Sequence, residues 1–269
     1  MPFTPSHAVV ALPFVRTPLV PAAVAIGAMT PDAPLFVRAL PLSYGITHDP
    51  AWLPATLLLA LVLLLIWRCV LRPAVRELAP GPLARRLPGE WDAGAGPALR
   101  ETFDAAGSRW RGILLLVASL AIGVLSHIAW DVFTHEGRWG VLLVPALDEQ
   151  WGPLTGYKWL QHGSSAGGLL ILGVWAVFWL RRRPATVEPE AVLPAAVRIG
   201  WLAGLPVILG AAWLIGLAVY GPITAEWTLA HLAYRVLPPA CAVWGAATVV
   251  LAVAVQVLRS RQDRRTRVS

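Results

Sequence analysis

The chain has 269 residues, 57% of them apolar and only 14% charged, with a net charge of +7 and two cysteines. A soluble domain carries about 25% charged residues, so this chain has too few to cover a water-facing surface. Two cysteines cannot staple a chain of this length, and the apolar content excludes disorder. An integral membrane protein remains, and the length suggests one membrane domain, residues 1–269.

In chain order, the first element is the least regular. Residues 18–29 are apolar but span only about 18 Å as a helix. Pro31 and Pro34 then break it, with Asp32 between them. A secretory signal needs a basic n-region, and no Lys or Arg precedes Arg16. Residues 1–50 are therefore read as two short helical pieces dipping into the membrane face, with a sixth full span as the alternative.

A helical span needs about 20 mostly apolar residues. Residues 52–70, 112–130, 167–180 (extending back towards Trp159), 199–220 and 236–258 meet this. The expected fold is an all-α polytopic transmembrane bundle of about five full spans plus the broken or re-entrant N-terminal segment. Residues 71–111 are rich in Pro, Gly and Arg and read as a cytoplasmic linker with a short helix near residues 99–110. Residues 259–269 read as a basic cytoplasmic tail.

Of the 22 basic residues, Lys158 is the one lysine. The arginines gather at the ends of apolar runs, in residues 71–111, 181–198 and 259–267, whereas residues 131–166 and 221–235 hold only Arg138, Lys158 and Arg235. That alternation is what membrane orientation requires, and the positive-inside rule puts the arginine-rich segments in the cytoplasm. Nucleic acid is not an expected partner; the lipid bilayer is. No internal repeat supports an inverted-repeat transporter.

On this topology His48, His127, His135, His162 and His231 fall at or near the non-cytoplasmic face, together with Asp32, Asp49, Asp131, Glu136 and Glu226. His7 joins them if the N-terminal segment dips rather than crosses. Ionisable groups at membrane depth are costly and mark function. The sharpest pattern is His127-x-x-x-Asp131-x-x-x-His135. On a helix each four-residue step drifts about 40° and rises about 6 Å, so the three side chains share a stripe. The outer histidines then lie about 12 Å apart, far for one ion. Either the helix ends near His135, which Gly137 permits, or Asp131 bridges two metals, held about 3.5–4 Å apart in two-metal hydrolases.

Four weaker elements accompany the stripe. His7 sits in Thr4-Pro5-Ser6-His7. Asp32 is a carboxylate in a proline-broken apolar segment, so it either caps a short helix or has a charged partner. His48 precedes a span, and the adjacent Asp49 is a helix cap, a group orienting a histidine or a general base. His162 lies in Gln161-His162-Gly163-Ser164, where Gln161 and Ser164 would face substrate or orient ligands. The bland alternative for each is an interfacial or capping residue. Cys69 and Cys241 read as packing residues. No nucleophile elbow, Cys-x-x-Cys or phosphate loop occurs.

The runs PFTPSHAVVALP, AIGAMTPD, TH, SHIAWDVFTHEG and LQHGSS together resemble the bacterial domain-of-unknown-function 4184 family. That family is similar to predicted inner-membrane metal-dependent hydrolases and, more distantly, to zinc-dependent phospholipase C. The resemblance implies that His7, Asp32, His48, His127, Asp131 and His135 occupy the family's polar positions, with Gln161-His162-x-Ser in its later motif.

These readings combine into one expectation: a metal-dependent hydrolase in the bacterial inner membrane, its site facing the non-cytoplasmic side. The expected metal ligands are His7, Asp32, His48, His127, Asp131, His135 and His162, with Asp49, Gln161 and Ser164 as catalytic candidates. A His/Asp donor set suits zinc, and carboxylate-richer sets also admit manganese or iron. Metal-activated water would attack a phosphoester or another lipid-associated substrate. The alternative is a non-enzymatic metal-binding scaffold or a metal transporter.

Overall fold

The proline spacing at Pro5, Pro13, Pro18 and Pro21 denies the N-terminus a regular α-helix. The computed structural model, which describes residues 3–104 and 108–268, accordingly begins with a 3₁₀ helix over Thr4–Phe14. Helix α1, Pro21–Met29, follows with Pro21 at its first turn, where the missing N–H costs nothing. A 3₁₀ turn, Thr30–Asp32, and a short helix, Ala33–Phe36, complete this region. The N-terminal segment is thus a chain of short pieces, and the sixth span is not formed.

Among the described residues, five helical runs are long and apolar enough to cross a membrane: Pro50–Leu78, Arg109–Thr134, Gly156–Arg181, Ala195–Tyr220 and Leu229–Arg265. The first contains α2, Leu53–Leu65, and winds on through a π turn at Ile66–Leu71. The others are α3, Arg109–Thr134; α4, Gly156–Arg181; α5, Ala195–Tyr220; and α6, Leu229–Val268. Among the described residues the only strands are two-residue pieces, β1, Gln150–Trp151, and β2, Leu154–Thr155, paired antiparallel. The chain is an all-α polytopic membrane protein. Residues 105–107 of the expected linker and Ser269 of the expected tail lie outside the described residues.

The chain forms two compact units. The first comprises residues 1–33, 41–65 and 100–182. Its central helix is α3, against which α1 packs at backbone contact. A Cβ on Gly27 would come within 2.5 Å of the Leu120 carbonyl oxygen, and one on Gly123 would overlap the Val24 and Ala28 backbone. This is the close approach that small residues permit between membrane helices. The Val20 amide at the start of α1 donates to Ser119 Oγ at 2.9 Å. Irregular backbone at membrane depth needs such a partner within the protein. The 3₁₀ segment lies against α1 and α4. Gly168 makes room for it, since a Cβ there would lie 3.0 Å from the Ser6 carbonyl oxygen.

The second unit comprises residues 34–40, 66–99 and 183–269. Helices α5 and α6 form a hairpin, with Trp201 stacked on Trp244 and donating to Thr248 Oγ1 at one end. At the other end Gly216 sits under Leu232 and Val236. The segment after the π turn folds into short helical turns fastened by two buried charges. Glu77 accepts from the Val192 and Leu193 amides, and Arg76 donates to the Ala84 and Val187 carbonyls and to Asp92. Ala74, Leu78, Leu193, Ala252 and Val255 form the apolar core beneath them.

Candidate metal centre

All the residues of this centre belong to the first unit. The glycine contact between α1 and α3 sets its geometry. It brings the Ala28 carbonyl, at the last turn of α1, within 2.7 Å of His127 Nδ1 on α3. One turn beyond His127, Asp131 is buried on the same face. Helix α3 then stops at Thr134, with His135 extended (φ −129°, ψ 137°) and Gly137 in the left-handed region at φ +69°. The 12 Å rise of an unbroken stripe is therefore not reached. His135 turns back, and its Nδ1 lies 3.1 Å from the Asp131 carbonyl and 3.6 Å from Asp131 Oδ2.

Three further side chains converge on this pair. Asp32, fully buried in the turn after α1, takes a hydrogen bond from Thr4 Oγ1 on Oδ2 at 2.6 Å, leaving Oδ1 without a partner. His48 is the residue at the end of the short helix Tyr44–Thr47, which Thr47 Oγ1 fastens by donating to the Pro31 carbonyl at 2.7 Å. His7, on the 3₁₀ segment, stacks on His127 with ring centroids 4.0 Å apart.

The hydrogen bonds settle which ring nitrogens are free. Nδ1 of His48, His127 and His135 each faces a backbone carbonyl, at 2.9, 2.7 and 3.1 Å, so each donates from Nδ1 and keeps a lone pair on Nε2. His48 Nε2 and His127 Nε2 face one another at 3.2 Å. Around them stand Asp131 Oδ2, at 3.4 and 3.5 Å, and Asp32 Oδ1, at 3.8 and 3.7 Å. His7 Nε2, His135 Nε2, Asp32 Oδ1 and both Asp131 oxygens are buried with no hydrogen-bond partner. Burial lowers the His7 imidazole to about 3 and also lowers that of His135, so both rings are neutral at pH 7. Burial raises the Asp32 carboxyl above the usual carboxylate range. Lone pairs and carboxylate oxygens are thus crowded together with few hydrogen-bond donors among them.

The donors form two triads that share His127: His7, His127 and Asp131, and Asp32, His48 and His127, each with its donor atoms within 4.8 Å of one another. Two cavities of about 360 Å³ each reach these residues. One is walled by His48, Asp131, Arg138 and Trp139, the other by Ser6, His7, Ser126, Trp130 and Ser164, with Val9 and Val10 making it the more apolar.

The other expected site residues are placed differently. Asp49 is exposed and caps the turn Pro50–Trp52 by accepting from the Ala51 amide, though it also edges the His48 cavity. Ser164 lines the His7 cavity and accepts from Trp130 Nε1 at 3.1 Å. Gln161 is buried, and its carbonyl accepts from Ser164 and Ser165. His162 is exposed on α4 and makes none of the contacts of the cluster. Glu136 accepts from the Tyr157 hydroxyl at 3.3 Å. Sequence reasoning passed over Arg138, which borders the His48 cavity as an exposed cation, and over the carbonyls of Ala28 and Tyr44 that aim the imidazoles. The basic side chain after His135 was a readable signal for Arg138; nothing in the sequence marks a carbonyl.

The family model for a domain of unknown function, DUF4184, matches residues 1–258. The chain belongs to this family. No curated protein matches it, and no solved structure does either. The DUF4184 match runs through every residue of the cluster, so the converging side chains lie within the family's own domain.

Proposed function

We propose that this DUF4184 protein holds a divalent metal at the His/Asp cluster and uses it to hydrolyse a phosphoester or another lipid-associated substrate. The observation that carries the metal is the spacing of the unpartnered atoms. Protonated imidazoles would close on the carboxylates at about 2.7–2.9 Å. The imidazole–carboxylate separations here are 3.4–3.8 Å, too long for hydrogen bonds and close to the roughly 3.4 Å between donors around a tetrahedral ion. The donor set suits zinc, with manganese or iron as alternatives.

The bound ion would supply a water ionised at neutral pH and a polarised substrate oxygen. The protein's part follows from its own groups. Carbonyls of Ala28, Tyr44 and Asp131 fix the imidazole tautomers and aim each Nε2 inward, and two carboxylates offset the cation's charge. Arg138 places a positive charge at the mouth of the His48 cavity, which fits an anionic group on the substrate. Two cavities reaching the cluster leave room for substrate and water, which a purely structural metal site does not need. His127 and Asp131 lie in the last two turns of α3, whereas transporter sites sit near the bilayer midplane, and this supports the enzyme over a transporter. The arginine distribution supports the bacterial inner membrane, with the site on the non-cytoplasmic side.

The test uses the full chain, purified in detergent and returned to vesicles of anionic glycerophospholipid. Release of a water-soluble phosphate product that stops on chelation and resumes with zinc is the expected result. A protein that carries zinc yet releases nothing from phospholipid vesicles or from a soluble aryl phosphodiester would overturn the hydrolase reading.

A further inference from the structure

The cluster offers more donors than one ion can use. An ion held at about 2.0–2.2 Å by each ligand cannot reach donors more than about 4.4 Å apart. Five residues contribute to two triads that share His127, and His135, whose ring lies 3.6 Å from Asp131 Oδ2, brings a further buried, unpartnered Nε2 outside both. His127 belongs to both triads but has one nitrogen to give, because its Nδ1 is committed to the Ala28 carbonyl. It can therefore serve only one ion. Asp131 is 4% exposed, and both of its oxygens are buried without a hydrogen-bond partner. A single ligated oxygen would leave the other as an uncompensated buried acceptor, which is expensive. His7 Nε2 and His135 Nε2 are likewise buried and unpartnered, and neither belongs to the triad of Asp32, His48 and His127.

We infer that the centre is binuclear and that Asp131 bridges its two ions. Asp32, His48 and His127 hold the first ion, and His7 and His135 hold the second. Asp131 Oδ2, which lies 3.4 and 3.5 Å from the Nε2 atoms of His48 and His127, would complete the first site, and the buried, unpartnered Oδ1 is the oxygen left for the second. The first site then has four protein donors, whereas the second has three and keeps the open position that a catalytic ion needs. The second is thus the ion that would present water to a substrate. Its ligand His7 also walls the more apolar cavity, into which the substrate's apolar part would fit.

This inference rests on the metal reading above, and one experiment separates the two. The full-length protein in detergent is stripped with chelator, reloaded with zinc alone, dialysed and analysed for metal per chain. Two zinc ions are expected, falling to one in His7→Ala and in His135→Ala. One ion in the wild type overturns the binuclear centre and leaves the metal site standing; none overturns both. Loading with manganese instead gives a readout of the bridge that does not depend on activity. A spin-coupled electron paramagnetic resonance signal is expected at full loading. The six-line spectrum of isolated manganese ions at the same loading overturns the carboxylate bridge.

Discussion

His48 and His127 point their Nε2 atoms at each other across 3.2 Å, and each ring is fixed from behind by a carbonyl on Nδ1. Neither ring can turn its other nitrogen inward without losing that bond, worth about 0.5–1.5 kcal/mol.

Asp131→Asn keeps the shape but removes the charge nearest three imidazoles. Metal affinity is expected to fall by more than the roughly 10–100-fold typical of losing a group that only orients a ligand. The protein should still insert, because its apolar spans do not depend on one carboxylate. His231→Ala is the control: that ring bonds Thr228 and stacks on Trp227, and its loss should leave metal content unchanged. Metal analysis of both variants after identical purification decides the matter; wild-type metal in Asp131→Asn removes the stripe from the site.

Gly123→Ala tests the architecture behind the chemistry. The new methyl overlaps the Val24 and Ala28 backbone, so α1 must move off α3. Overpacking of this kind costs about 1–3 kcal/mol. The same movement draws the Ala28 carbonyl away from His127, so metal retention should fall along with Tm in detergent. A variant that loses stability and keeps its full metal content would show that the carbonyl does not aim the ring.

Arg138→Gln should leave metal content and Tm intact, because the side chain is exposed at the cavity mouth. Binding of inorganic phosphate to the metal-loaded protein is expected to weaken about tenfold, the low end for losing a hydrogen bond to a charged group. Calorimetric titration of both proteins measures this. Equal phosphate affinity would take Arg138 out of substrate recognition.

Sidedness is read by single cysteines at the two ends of α3 in a cysteine-free background. Ser108→Cys precedes the helix and Arg138→Cys follows it. A membrane-impermeant maleimide added to intact cells should label Arg138→Cys and spare Ser108→Cys until the cells are lysed. The reverse pattern would put the cluster on the cytoplasmic side and undo the orientation drawn from the arginines.

The five spans were legible in the sequence because hydropathy over about 20 residues is a long, redundant signal. The short pieces of the N-terminus were legible from proline spacing. His127, Asp131 and His135 could be read as one group because their separation is a property of the helix itself. The escape of His135 from the stripe was half-written in Gly137. What joins Asp32 and His48 to them was not legible. It depends on Gly27 meeting Gly123, on a Thr47 hydroxyl reaching the Pro31 carbonyl, and on carbonyls that have no one-letter code. His162 shows the limit from the other side. Gln161 is buried and His162 exposed, one helix position apart, and with polar residues on both faces of that turn the sequence could not say which faces inward.

The N-terminal segment also has an awkward place in time. Phe3 is tied to Ser165, 162 residues later in the chain, and Val20 to Ser119. At about 5–20 residues synthesised per second, the segment carrying His7 waits on the order of 10–30 s for the helices that will cover it. Through that interval a proline-broken, apolar stretch with open backbone groups has neither lipid-compatible hydrogen bonding nor its final neighbours. The segment carrying His7 is thus made before the helices that cover it and settles only after them. A factor that shields this stretch during insertion would act on the step that decides how much of the newly made protein matures.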